Sequence, residues 1–243
     1  MTIKQFIAGL GCTLMILTPP LAMAAIEGEK QVLRRANGAE PSTLDPQLAT
    51  GTWESAIITD LFEGLVARDA SGETIPGVAS SWERSSDGLH YTFHLRDDAK
   101  WSDGTPLTAE DFVYSWRRIL SPELAAPYAY MLFPIANAEA VNRGDKPVEA
   151  LGVEASDPHT LEVTLARPTG YFIDMLGHAS TYPVPKNAIA THGSDWTKPG
   201  HMVSNGAFEL TDWVSHDHIT AVRNRDFHDA ENVALDEVRF LPI

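Results

Sequence analysis

Five acidic side chains lie close together in the sequence and could serve as the paired carboxylates of glycoside hydrolysis: Asp97, Asp98, Asp103, Glu110 and Asp111. Structural roles explain them better. Asp103 belongs to an Asp-Gly turn, and Glu110 and Asp111 fall in the first turn of a predicted helix, where the helix dipole favours negative charge. Asp97 and Asp98 flank the end of a predicted strand. We therefore expect no enzyme, and a hydrolase that uses this cluster is kept as an alternative.

His216 and His218 would share one face of a strand and could hold a metal ion with their imidazoles. No third ligand follows at a recognisable spacing, so a solvated hairpin loop is the favoured interpretation. The sequence after residue 24 contains no nucleophile elbow, no HExxH motif and no phosphate-binding loop. We predict no metal site and no cofactor.

The elements that would position these side chains begin with a hairpin. An Asp-Gly turn at 87–88 separates segment 81–84 from segment 90–95, and apolar and polar side chains alternate in the second segment. Farther on, Thr108 stands three residues before Asp111, ahead of apolar residues at helical spacing. This pattern predicts an amphipathic helix whose N-terminus is closed by a capping box.

The remaining elements are predicted from apolar periodicity and from turn residues. The loop before the first helix turns into it at Thr52 or Trp53. We predict strands at 31–37, 152–155, 160–165, 208–213 and 219–223, and helices at 54–62, 137–143 and 171–176.

The N-terminal residues have the pattern of an export signal. Lys4 precedes an apolar stretch at 6–17, and Ala22-Met23-Ala24 supplies the small residues of a cleavage site. A membrane anchor is the alternative, but the stretch is shorter than the roughly 20 residues that span a bilayer. We predict a signal peptide at 1–24 and a mature chain in the periplasm.

Cysteine content and charge exclude several classes of function. The only cysteine, Cys12, lies inside the predicted signal, so the mature chain would have no disulfide, thiolate metal site or cysteine nucleophile. With 243 residues, of which 44% are hydrophobic, the chain can form one large or two modest domains. A formal net charge of −15 argues against nucleic acid and against anionic membrane surfaces as partners.

The segments LFEGL, YTFHLR and KWSDGTPLTAEDFVYSW, all between residues 61 and 116, closely resemble the extracytoplasmic peptide-binding proteins of ABC importers. The similarity is to the oligopeptide-binding type, which belongs to solute-binding protein family 5. It extends from about Gln31 to Ile243 and includes STLDP at 42–46, DPHTLEVTL at 157–165, PVPK at 183–186 and SNGAF at 204–208.

This resemblance implies a fold and a division of the chain. We expect a mixed α/β fold of the type II periplasmic-binding-protein kind, in which a lobe formed by 25–62 and 187–243 carries an inserted α+β subdomain at 63–186. Members of the family have a second lobe that closes over the ligand. We expect that lobe, and about half of the binding cleft, to be missing from this sequence.

The resemblance also implies ligand contacts. Family members pair the main chain of an extended peptide with strand-like segments, and Thr50, Gly51 and Thr52 match such a segment. Gly51 would allow two backbones to approach closely. Trp53 could stack on the ligand, and Tyr128 matches an aromatic residue that lines a side-chain pocket. The alternatives are a loop that caps a helix, a packing tryptophan and an ordinary half-buried tyrosine.

The expected function is capture of short peptides and their delivery to the membrane permease subunits of an ABC importer, by a receptor that acts as a monomer. Within the same class, a relative that binds dipeptides, cell-wall peptides or a nickel chelate is an alternative, because one scaffold serves several ligands. From another class, a periplasmic hydrolase that uses the acidic cluster is the alternative.

Overall fold

The computed structural model describes residues 30–243, and the predicted signal peptide lies outside them. The strands are β1 (Val32–Ala36), β2 (Val66–Arg68), β3 (Thr74–Pro76), β4 (Ala79–Arg84), β5 (His90–Leu95), β6 (Val153–Asp157), β7 (Thr160–Thr164), β8 (Phe208–Val214), β9 (His218–Arg223) and β10 (Glu237–Leu241). The helices are α1 (Thr52–Leu61), α2 (Ala109–Leu120), α3 (Ala138–Asn142), α4 (Phe172–Met175) and α5 (Lys186–His192). Within 30–243 no helix is both long and apolar enough to cross a membrane.

The strands form three sheets. The first has the order β1-β10-β9-β8, in which β1 runs parallel to β10 and the other pairs are antiparallel. Strands β2 and β3 form a two-stranded ribbon, and the third sheet has the antiparallel order β4-β5-β7-β6. The third sheet therefore comes from chain that lies between the two halves of the first. The predicted mixed α/β fold is confirmed.

Helix α2 packs against the third sheet as its apolar periodicity predicts. Phe112, Trp116 and Ile119 are fully buried on that face. The predicted capping box is present, because Asp111 accepts hydrogen bonds from the N–H and the hydroxyl of Thr108. The indole of Trp116 donates to the carbonyl of Thr181 at 2.8 Å, so its polar atom is satisfied inside the core.

Helix α1 packs beside β8 of the first sheet, and its Ile57, Ile58 and Leu61 side chains are fully buried. It begins at Thr52, two residues before the predicted start, and Gly51 is its N-cap rather than Thr52 or Trp53. Strands β2, β3 and β10 and helix α5 were not predicted. The first two have three residues each, too few for alternation to stand out from chance.

A buried polar network fastens α2 to the loop that precedes α1. The guanidinium of Arg118 forms an ion pair with Asp45, with Nη2 to Oδ2 at 2.7 Å and Nη1 to Oδ1 at 3.3 Å. Arg118 also donates to Oε1 of Gln47, whose Nε2 donates to the carbonyl of Ser115 at 2.7 Å. The hydroxyl of Ser115 in turn accepts the N–H of Val184 at 2.8 Å. Every link joins parts of the chain that are distant in sequence.

Replacement of Arg118 by methionine should destabilise the protein strongly. The variant keeps most of the side-chain volume, but it leaves the Asp45 carboxylate buried without its partner, which costs about 3–5 kcal/mol. Urea unfolding followed by tryptophan fluorescence measures the loss. Arg143→Met is the matched control, because both ion pairs of Arg143 are exposed and should contribute little to stability. Equal losses of unfolding free energy in the two variants would contradict a dominant role for the buried Arg118–Asp45 ion pair.

Replacement of Asp60 by asparagine should stabilise the protein at neutral pH. Burial raises the pKa of Asp60 to about 6, and the nearby Arg35 only partly opposes this. Because the pKa in the folded state lies above the unfolded value of 3.8, stability is lost as the pH rises from about 4 through 6. Asp60→Asn should therefore gain about 1–2 kcal/mol at pH 7.5 and nothing at pH 4.

Urea titrations at the two pH values test this expectation, and Asp98→Asn, at an exposed position, is the control. A gain from Asp60→Asn that is the same at both pH values would show that the carboxyl charge is not its source.

Candidate functional site

The loop before α1 is held in a fixed turn. The side chain of Asp45 accepts the N–H of Gln47 at 2.9 Å, and the main-chain carbonyl of Asp45 accepts the N–H groups of Leu48 and Ala49. Leu44 is fully buried and anchors the start of this turn. Together with the Arg118 network, these bonds fix where the chain emerges at residue 50.

The segment from Thr50 to Trp53 lies at the surface. Thr50 and Thr52 are exposed, Gly51 is half-buried in an extended conformation with φ −98° and ψ 159°, and Trp53 is 40% exposed. Thr52 is already the first helical residue, so it does not have the strand-like backbone that the resemblance implied, whereas Gly51 does. The N–H groups of residues 50–54 donate to no acceptor within 30–243.

By contrast, the carbonyl groups of Thr50 and Gly51 already accept hydrogen bonds from other parts of the protein. The carbonyl of Gly51 accepts both the N–H and the hydroxyl of Ser55, each at 3.1 Å. The carbonyl of Thr50 accepts the hydroxyl of Tyr128 at 3.3 Å. The segment therefore presents mainly hydrogen-bond donors, as the first turn of a helix does when nothing caps it.

Tyr128 is brought beside this segment although 78 residues separate it from Thr50. Its ring centroid lies 4.8 Å from the ring of His178 and 5.8 Å from that of Tyr130, which is 51% exposed. Burial lowers the pKa of His178, and its Nδ1 accepts the N–H of Ser180 at 3.2 Å, so the imidazole is held neutral. Tyr128 thus contacts two aromatic rings, that of the partly buried His178 and that of the solvent-exposed Tyr130.

Glu54 is the residue of this site that the sequence does not reveal. Its side chain is almost fully buried, and Oε1 accepts the N–H of Ser42 at 2.9 Å and the hydroxyl of Ser42 at 3.0 Å. Its Oε2 has no hydrogen-bond partner in the described chain. A Cβ atom on Gly51 would overlap this Oε2 and lie 2.7 Å from the Trp53 ring. Packing against Glu54 and Trp53 therefore favours glycine here, apart from any approach by a ligand.

The alternative sites have local structural explanations. Asp103 accepts the N–H and hydroxyl of Thr105, and Asp111 closes the α2 capping box. His218 lies between two carboxylates in the β8–β9 hairpin, with Nδ1 2.7 Å from Asp217 and Nε2 3.2 Å from Asp212. Residues 30–243 contain no cluster of three histidine, cysteine or acidic side chains arranged to hold a metal ion.

Comparison with known proteins identifies relatives. The family "Bacterial extracellular solute-binding proteins, family 5 Middle" matches residues 73–243. The periplasmic oligopeptide-binding protein OppA of Escherichia coli K12 is 50% identical over 217 residues, which are 88% of this chain and 40% of that protein. The probable deoxycholate-binding periplasmic protein YgiS of the same strain is 45% identical over 216 residues, again 88% and 40%.

A solved structure, Haemophilus influenzae OppA in complex with the peptide RPPGFSPFR, matches with a TM-score of 0.86 and 40% identity. The match covers 88% of this chain and 42% of that one. The chain thus spans about 40% of the length of the relatives that it matches.

Replacement of Gly51 by alanine should destabilise the start of α1. The added methyl group must displace the buried Glu54 carboxyl group or the Trp53 ring, and overpacking of this kind costs about 1–3 kcal/mol. Urea unfolding measures the cost. Gly170→Ala is the control, because a Cβ atom at residue 170 would meet no heavy atom within 4 Å. An unchanged midpoint for Gly51→Ala would show that the segment adjusts freely.

Proposed function

Because this chain belongs to family 5 of the bacterial extracellular solute-binding proteins, we propose that it is part of a periplasmic receptor that captures short peptides for an ABC importer. The observation that carries the proposal is the start of α1 at 50–54, which is exposed at Thr50, Thr52 and Trp53 and whose five N–H groups have no acceptor within the described chain. Peptide carbonyl groups are suitable acceptors for such donors, and every peptide has them.

Main-chain recognition explains how one receptor accepts many sequences. In this proposal the ligand backbone lies along Thr50 and Gly51, while its side chains project toward Tyr128 and Trp53. The flat faces of these rings suit aliphatic and aromatic side chains alike, and water fills the space that smaller side chains leave. Affinity then depends on the backbone, and the side chains adjust it.

The proposed lobe organisation follows the sheet topology. We propose that 25–62 and 187–243 form one lobe with 63–186 inserted, and the pairing of β1 with β10 supports this division. The lobe would offer one wall of the cleft, and closure of a facing wall would enclose the peptide by a hinge motion. The closed monomer would then dock on the membrane subunits of the importer, which would carry out ATP hydrolysis.

A second candidate ligand is an amphipathic steroid acid. It is favoured by the 45% identity to a protein whose name gives deoxycholate as its probable ligand. The exposed rings of Trp53 and Tyr130 could contact an apolar ligand of this kind. Parallel titrations with a capped tripeptide and with deoxycholate distinguish the two candidates.

Amide NMR spectra of the ¹⁵N-labelled protein, titrated with acetyl-trialanine amide, test the peptide proposal. We expect weak binding, of the order of millimolar, because one wall supplies only part of the contact surface. The amide signals of residues 50–54 should shift. If deoxycholate shifts them and the peptide does not, the steroid ligand is favoured.

Thr52→Pro removes one N–H donor at a position where proline suits a helix, and the extended Gly51 before it is compatible with proline. Thr52→Ala is the matched control, because it loses the side chain but keeps the N–H group. We expect Thr52→Pro to bind the peptide at least about fivefold more weakly than Thr52→Ala, as loss of one hydrogen bond requires. Equal affinities would contradict main-chain recognition at this residue.

A further inference from the structure

The start of α1 poses an electrostatic problem for a peptide receptor. Its N–H groups at 50–54 are unpartnered within 30–243, and its carbonyl groups at Thr50 and Gly51 already accept hydrogen bonds. An uncapped helix N-terminus of this kind attracts anions, because the peptide dipoles point their positive ends outward. A peptide with a free C-terminus could therefore bind here by its carboxylate rather than by its main-chain carbonyl groups.

Glu54 lies where it can prevent this. The residue is 2% exposed and belongs to the same helical turn, and its Oε2 occupies the space beside Gly51 that a Cβ atom would fill. Ser42 donates both of its hydrogen bonds to Oε1, so Oε2 keeps its full acceptor capacity and lies beside Gly51. A charge inside the protein is screened much less by salt than one at the surface.

The aromatic residues beside this turn, Tyr128 and His178, supply no positive charge that would offset Glu54. The imidazole of His178 beneath Tyr128 is neutral, because burial lowers its pKa and Nδ1 accepts the N–H of Ser180. Tyr128 presents its hydroxyl to the carbonyl of Thr50. Glu54 is thus the charged group built into the first turn that carries the free donors.

We propose that Glu54 is a specificity-determining residue that rejects carboxylates at the start of α1. Its buried negative charge offsets the positive end of the helix, so the N–H groups of 50–54 donate to a neutral carbonyl group, while the Glu54 carboxylate repels the C-terminal carboxylate of a peptide. The peptide must then lie with its carboxylate elsewhere, and this fixes its register along the segment. The inference rests on the proposed peptide-binding function and adds a rule about which part of the peptide occupies this position.

The test uses two probes that differ only at one end. Acetyl-trialanine amide is neutral, and acetyl-trialanine has a free carboxylate. Amide shifts at 50–54 report the affinity of each probe for the wild-type protein and for Glu54→Gln, whose amide oxygen can still accept both Ser42 hydrogen bonds. Glu110→Gln is the control, because it makes the same change in net charge at an exposed position in the first turn of α2.

The wild-type protein should bind the neutral probe at least about tenfold more tightly than the carboxylate probe, as expected for a like charge at close range. Glu54→Gln should bind the carboxylate probe at least about fivefold more tightly than the wild type and the neutral probe about as well. Glu110→Gln should behave as wild type. An unchanged preference in Glu54→Gln would overturn the inference.

Two further outcomes distinguish failure of the proposed Glu54 charge filter from failure of the proposed peptide site. If Glu54→Gln does not fold, the wild-type measurement alone decides, because equal binding of the two probes by the wild type contradicts a charge filter. If neither probe shifts the amides of 50–54, the proposed peptide site itself fails, since the inference presupposes binding there.

Discussion

The buried contact between Arg118 and the Asp45–Gln47 turn is the constraint on which the candidate site depends. It joins α2, in the chain that forms the third sheet, to the loop that leads into α1. Burial of an ion pair costs desolvation, which is offset only when the geometry is good and the remaining polar atoms are satisfied. Both conditions hold here, because Gln47 extends the network to Ser115. The position of residue 50 therefore depends on a contact with α2, which is far away in sequence.

Local sequence patterns predicted the secondary-structure elements that neighbouring residues are sufficient to form. The hairpin β4–β5, the capping box of α2 and the apolar face of α1 all follow from periodicity and turn residues, and each is confirmed. Strand β10 was missed although its first four residues alternate between polar and apolar side chains, because five residues are few for such a pattern to stand out. Its place in the sheet depends on pairing with β1, about 200 residues away. Propensity cannot report such a partner.

The candidate site likewise combines residues that the sequence pointed to with one whose environment depends on distant parts of the chain. The resemblance pointed to Thr50, Gly51, Thr52, Trp53 and Tyr128, and the hydrogen bond from Tyr128 to Thr50 brings the two parts of that set together. Whether they contact a ligand stays a prediction. The importance of Glu54 was hidden, because a glutamate in the first turn of a helix is commonplace in sequence. In the folded chain it is buried, with one carboxyl oxygen bound to Ser42 and the other without a hydrogen-bond partner among residues 30–243.

The parallel pairing of β1 with β10 affects how the chain can fold. The two strands are about 200 residues apart in sequence, so the first sheet cannot close until nearly all of the described chain has been synthesised. The loop-closure entropy of such a pair must be overcome before its contacts form, and topologies of this type fold slowly. Strands β4 and β5 have no such delay. A nascent chain would therefore form its middle first and keep its N-terminal strand β1 unpaired until β10 has been made.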